Sequence, residues 1–149
     1  MTFREKVYEQ YLQTIQDKIS LLWNTLNDLR ESSGNETKSS AGDKHETALA
    51  MLHIEQENIS QQLKEAFDQK AAFEKINPGL FTPEISTGSL IKTNNGYLFL
   101  SLALGKIVID GSKVIAISPQ SPLGQGLVGL KVNEVVKING MGYVIESIT

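Results

Sequence analysis

Two heptad-spaced apolar series constrain this chain more than any other feature. Tyr8, Leu12, Ile15, Ile19, Leu22, Leu26 and Leu29 follow one another at alternating steps of four and three residues. Apolar positions repeating in this way line one seam of a helix that pairs with another. A second series, Leu49, Leu52, Gln56, Ile59, Leu63, Ala66, Lys70 and Phe73, repeats the spacing with Gln56 and Lys70 as polar interruptions. Between the two lies Glu31-Ser-Ser-Gly-Asn-Glu-Thr-Lys-Ser-Ser-Ala-Gly42. Ser, Gly and Asn favour loops over helix. Two helices so joined fold back as an antiparallel coiled-coil hairpin. A helix of about 28 residues reaches roughly 40 Å, so its tip is expected far from any globular body.

The rest of the chain has a different character. Residues 1–76 contain no proline and only two glycines, Gly34 and Gly42, whereas residues 77–149 contain all four prolines and the other ten glycines. Asn77-Pro-Gly-Leu-Phe-Thr-Pro83 reads as a linker. Beyond it, Ser89–Lys92, Tyr97–Ala103, Lys106–Ile109, Lys113–Ser118, Glu134–Ile138 and Tyr143–Ile148 are short and rich in β-formers. Asn94-Asn-Gly96, Asp110-Gly111 and Asn139-Gly140 are tight-turn signals. Ser121-Pro-Leu-Gly-Gln-Gly-Leu127 opens with an N-cap residue and a proline, the pattern of a short helix. The expected class is α+β: a helical hairpin over 1–76 with its tip loop at about 31–46, a linker over 77–83, and a small β-rich domain over 84–149.

Composition removes whole classes of chemistry. The chain has no cysteine, which excludes disulfides, thiolate catalysis and thiolate-based zinc sites. Its net charge is −3, and the acidity lies in the first half, where 9 Lys/Arg face 13 Asp/Glu. Such a chain is no obvious nucleic-acid binder. No apolar run reaches the roughly 20 residues that span a bilayer. The first residues lack the apolar core of a secretory signal, so the cytoplasm is the expected compartment.

Asp43 and Glu46 are the chemically interesting residues. Acids three apart share a face of a helix, and two carboxylates suit a hard cation such as magnesium. The same spacing is a capping box at the start of the second helix, and spacing alone leaves both readings open. Lys38 and Lys44 are candidate contacts to phosphate or to acidic groups of a partner, or simply solvated loop charges. His45 and His53, eight residues apart, match no ligand spacing, and Trp23 beside Leu22 is expected to widen the seam.

The order of parts resembles the Gre family of transcript-cleavage factors, which bind bacterial RNA polymerase. Gly42-Asp-Lys-His-Glu-Thr-Ala48 is similar to that family's tip segment, Gly-Asp-Leu-(Lys/Arg)-Glu-Asn-Ala. Glu55-Gln56 and Leu63-Lys-Glu65 are similar to its second helix. Ile117-Ser-Pro-Gln-Ser-Pro-Leu123 followed by Gly126-Leu-Val-Gly129 resembles its Ser-Pro-(Ile/Leu)-x-x-x-Leu-(Ile/Leu)-Gly signature. The resemblance implies a monomer whose hairpin enters the polymerase secondary channel, and an FKBP-like second domain that docks at the channel rim, with Ser121, Pro122 and Gly129 as partner-contacting residues. It implies that Asp43 and Glu46 are the catalytic acids. They would help the polymerase hold a second magnesium ion that cleaves backtracked RNA. No tightly bound cofactor is expected, and the protein would be no enzyme on its own. Three departures bear on cleavage more than on binding: Thr47-Ala-Leu-Ala50 replaces the family's Asn-Ala-Glu-Tyr, the loop is longer over Ser32–Ser40, and the hairpin is net acidic. Rival readings are a secondary-channel regulator that does not cleave, an FKBP-like prolyl isomerase or chaperone using Phe81, Tyr97, Phe99 and Tyr143, and a plain coiled-coil adaptor.

Overall fold

The computed structural model describes residues 1–37, 43–77, 79 and 81–149, with the backbone alone described for 35–37 and 43–45. The elements are α1 (Phe3–Thr37), α2 (Asp43–Glu74), β1 (Leu90–Thr93), β2 (Gly96–Leu100), β3 (Gly105–Ile109), β4 (Ser112–Ile117), α3 (Pro122–Leu127), β5 (Val135–Ile138) and β6 (Met141–Ile148). The fold is α+β, with two long helices followed by a six-stranded sheet. Its contacts divide the chain into two units, Gln13–Ala71 and Met1–Leu12 with Ala72–Thr149. No described helix is long and apolar enough to cross a membrane.

In the Gln13–Ala71 unit the helices run antiparallel: Gln56 Nε2 donates to the Leu29 carbonyl at 3.3 Å, and further along α1 Ser33 Oγ lies 3.4 Å from His53 Nε2, earlier on α2. Leu22, Leu26, Ile59, Leu63 and Ala66 form the buried seam, with Ile19 and Leu29 packed against it. Each buried leucine or isoleucine contributes about 1.5–3 kcal/mol. Gln56 is tolerated in the seam because its amide finds a backbone acceptor. α1 continues to Thr37, into the segment whose composition favours loop. Extending a formed helix costs little per residue, so weak local preference does not stop it.

The other unit is built on a sheet of order β3-β4-β2-β1-β6-β5. β2 and β4 are parallel, and the remaining pairs are antiparallel. Leu90, Phe99, Val114 and Ala116 fall on one face by register, and Val7, Tyr11 and Phe73 are buried with them. Tyr11 stacks on Phe99 with ring centroids 6.0 Å apart, and Phe73 meets Phe99 edge-on at 6.1 Å. The Tyr11 hydroxyl lies 2.7 Å from the Gly105 carbonyl and 3.2 Å from that of Val114. Burial pushes its pKa up to about 12. In α1 the buried apolar positions here are Val7 and Tyr11, with Tyr8 only half-buried, one step out of phase with the heptad series. The first turns of α1 face a sheet, and the sheet sets which residues go inward.

The opposite face carries Ile91, Leu98, Leu100, Ile145 and Ile148, closed by Ile85 and by Leu127 of α3. Two of the three tight-turn signals are realised as positive-φ pairs, Asp110 and Gly111 at 51° and 79° and Asn139 and Gly140 at 52° and 78°, while at Asn94-Asn-Gly96 only Gly96 has a positive φ, 103°. Both angles positive is the hairpin turn that matches strand twist. α3 begins at Pro122, with the Ser121 side chain accepting from the Gly124 amide at 3.0 Å. A Cβ at Gly124 would collide with the Ser118 carbonyl oxygen and the Pro119 Cα, so α3 lies against its own entry loop only because Gly124 has no side chain. Gly124→Ala is therefore expected to destabilise this unit by about 2 kcal/mol. That lowers its thermal midpoint by roughly 10 °C, read by tyrosine near-ultraviolet dichroism.

Candidate functional site

The acid pair sits at the start of α2. Asp43 is the first residue of the helix and Glu46 lies one turn on, with its side chain exposed. A capping box also places Asp43 at this helix boundary. The side chains of Asp43 and Lys44 lie outside the described residues, as does the whole of Lys38. The first amides of a helix have no partners within it and carry partial positive charge, which favours an acid such as Glu46 there. Among the described residues no group of three or more His, Cys, Asp or Glu is placed to hold a metal ion. The donor chemistry fits magnesium, which takes carboxylate oxygens and keeps several waters. Asp43 and Glu46 are the residues that would hold it, with the remaining oxygens coming from elsewhere.

The second motif builds a groove. Ser121, Pro122, Leu123, Ile117, Met141 and Tyr143 line an open cavity of about 400 Å³ whose walls are mainly apolar. Pro122 is exposed, and Met141 is 50% exposed. The Ser121 hydroxyl is committed to structure, donating to the Ser118 carbonyl at 2.6 Å while capping α3. Gly129 adopts φ +86° and donates its amide to the Ile85 carbonyl at 2.8 Å. Of the three motif residues, Ser121 and Pro122 thus border the groove while Gly129 pins a neighbouring loop. Sequence reasoning missed Met141 as a groove residue. The signal was its place opposite Ile138 across the Asn139-Gly140 turn, which puts both on the face shared with Val136 and Tyr143.

The four aromatic residues of the isomerase reading do not converge. Phe99 is buried beneath Tyr11 and Phe73, Tyr97 lies against Phe3 at 4.8 Å, Phe81 is 62% exposed, and Tyr143 belongs to the groove. Trp23 is half-exposed beside the seam, and His53 is exposed with Ser33 as its neighbour.

No protein-family model matches this sequence, and no curated protein matches it. Among solved structures the chain is similar to that of the transcription factor Gfh1, at 17% identity over 95% of this chain and 92% of that one, with a TM-score of 0.34.

Proposed function

We propose that this protein is a transcription elongation factor of the Gre type. Its paired helices enter the secondary channel of a bacterial RNA polymerase, where Asp43 and Glu46 join the polymerase active site. The observation that carries this reading is the position of the two acids in the first turn of α2, where an antiparallel helix pair reverses direction. The Glu46 side chain is exposed there, open to a partner. The groove bordered by Ser121 and Pro122 supplies a separate apolar docking surface on the sheet unit.

The chain's part in such a reaction is electrostatic and positional. A second magnesium ion, when bound, supplies Lewis-acid polarisation and an activated water for phosphodiester hydrolysis. Asp43 and Glu46 would hold that ion and offset its charge. Two carboxylates held close together repel, and an arriving cation relieves that repulsion. Metal affinity off the polymerase is correspondingly slight.

The decisive experiment adds the protein, with magnesium, to a halted and backtracked polymerase complex. Shortening of the RNA from its 3′ end is the expected result. Binding without shortening selects the non-cleaving regulator, a reading favoured by Thr47-Ala-Leu-Ala50 and by the net acidity of residues 1–76. Failure to bind polymerase at all overturns both.

A further inference from the structure

The outer flank of α2 reads the same in both directions. One exposed stripe, bordering the seam at His53, carries His53, Ile54, Glu57, Ser60, Gln61, Lys64, Phe67 and Asp68. Ser60 and Gln61 stand at its midpoint. Equally far on either side of that midpoint are Glu57 and Lys64, then Ile54 and Phe67, then His53 and Asp68. Each pair matches an acid with a base or an apolar residue with another. An open cavity of about 690 Å³ runs along the N-terminal part of the stripe and onto the seam edge, lined by His53, Gln56, Glu57, Ser60, Gln61 and Lys64. Ile54 and Phe67 remain 58% and 48% exposed. Within the described residues Glu57, Lys64 and Asp68 have no ion-pair partner.

We propose that this flank of α2 is an isologous contact, and that its occupant is the same flank of a second copy packed antiparallel about a two-fold axis between Ser60 and Gln61. The charges decide the orientation. In the antiparallel arrangement Glu57 of each copy faces Lys64 of its mate, Ile54 faces Phe67, and His53 faces Asp68. A parallel arrangement in register sets each charge against its like, which is repulsive. A two-fold contact makes every pair occur twice, so each favourable or unfavourable substitution counts double. The stripe spans roughly 22 Å of helix, so a single crossing buries less than a standard interface of about 1,200–2,000 Å². Association is therefore weak, on the order of 100 µM. Mass action makes the pair a high-concentration state and the monomer expected from the sequence the low-concentration one.

Sedimentation equilibrium of the full chain between about 10 µM and 500 µM tests this. Wild type should show a monomer–dimer equilibrium that weakens with added salt. Glu57→Lys alone and Lys64→Glu alone should each weaken it at least about tenfold, because each sets two like-charged pairs across the axis. The double variant Glu57→Lys/Lys64→Glu should restore wild-type association, which a merely local role of either side chain would not do. Circular dichroism checks that each variant keeps its helices. A wild type that stays monomeric throughout overturns the proposal, as does a dimer indifferent to the single reversals or one that the double variant fails to rescue. Since the chain has no cysteine, Ser60→Cys gives a clean second measurement. A short bis-maleimide should join two copies through position 60, and an absence of joined product counts against the axis.

Discussion

Replacing both Asp43 and Glu46 with alanine is expected to reduce stimulated RNA shortening at least about a hundredfold while leaving polymerase affinity within about twofold. On the proposed reading the two carboxylates would hold the second magnesium ion, which acts on the charge that develops at the reacting phosphodiester. Such interactions appear in the rate and not in ground-state binding. The predicted split between rate and affinity separates a catalytic role from a structural one. If the acids served chiefly to cap α2, their loss would cost about 1 kcal/mol of helix stability, visible by circular dichroism without polymerase. Glu46 is exposed and stands on a helix, so the double variant should keep its fold. Loss of shortening together with loss of binding would instead indicate that the first turn of α2 had been disrupted.

Phe99→Ala should have the largest effect on stability. Phe99 is 1% exposed and touches two other rings, Tyr11 and Phe73, which come from different helices. Removing it leaves a cavity bounded by both helices and the sheet, with an expected cost of about 3–5 kcal/mol. That is a large share of the 5–15 kcal/mol typical of a whole domain. The chain carries its own pair of reporters. Its single tryptophan, Trp23, lies in the Gln13–Ala71 unit, and its four tyrosines, at 8, 11, 97 and 143, all lie in the other. In Phe99→Ala the tyrosine signal should be lost at markedly lower urea, and the tryptophan signal should show how far the helix pair follows. Phe81→Ala, at a 62% exposed residue, should change stability by no more than about 0.5 kcal/mol.

The helix pair and the strands were legible where the pattern is local. Ile59, Leu63 and Ala66 show the second seam at its predicted spacing, because both partners of that seam are helices with the same period. Asp110-Gly111 and Asn139-Gly140 mark their turns because few other residues accept a positive φ. The phase change at Val7 and Tyr11 was not legible. It depends on which element covers the first turns of α1, and that element lies about a hundred residues further along the chain. The strand order was hidden for the same reason. β2 pairs with β4 and not with its immediate successor β3, a choice made by the whole sheet. At the candidate site, Asp43 and Glu46 stood out by spacing, but no spacing distinguishes a ligand from a cap. Gly124 read only as a residue of the short helix, and its reason is steric, visible only once the Ser118–Pro119 loop is in place.

The contacts of Tyr11 set a timetable for synthesis. Its hydroxyl reaches carbonyls 94 and 103 residues later in the chain. At about 5–20 residues per second, a ribosome takes roughly 5–20 seconds to deliver them. The paired helices of Gln13–Ala71 have all their residues early, and their contacts can close while the sheet is still unmade. Val7 and Tyr11 must wait in water until β4 has emerged. A nascent chain stalled before Ser112 therefore exposes the apolar start of α1, and it is at that stage of its life that this protein most needs a chaperone.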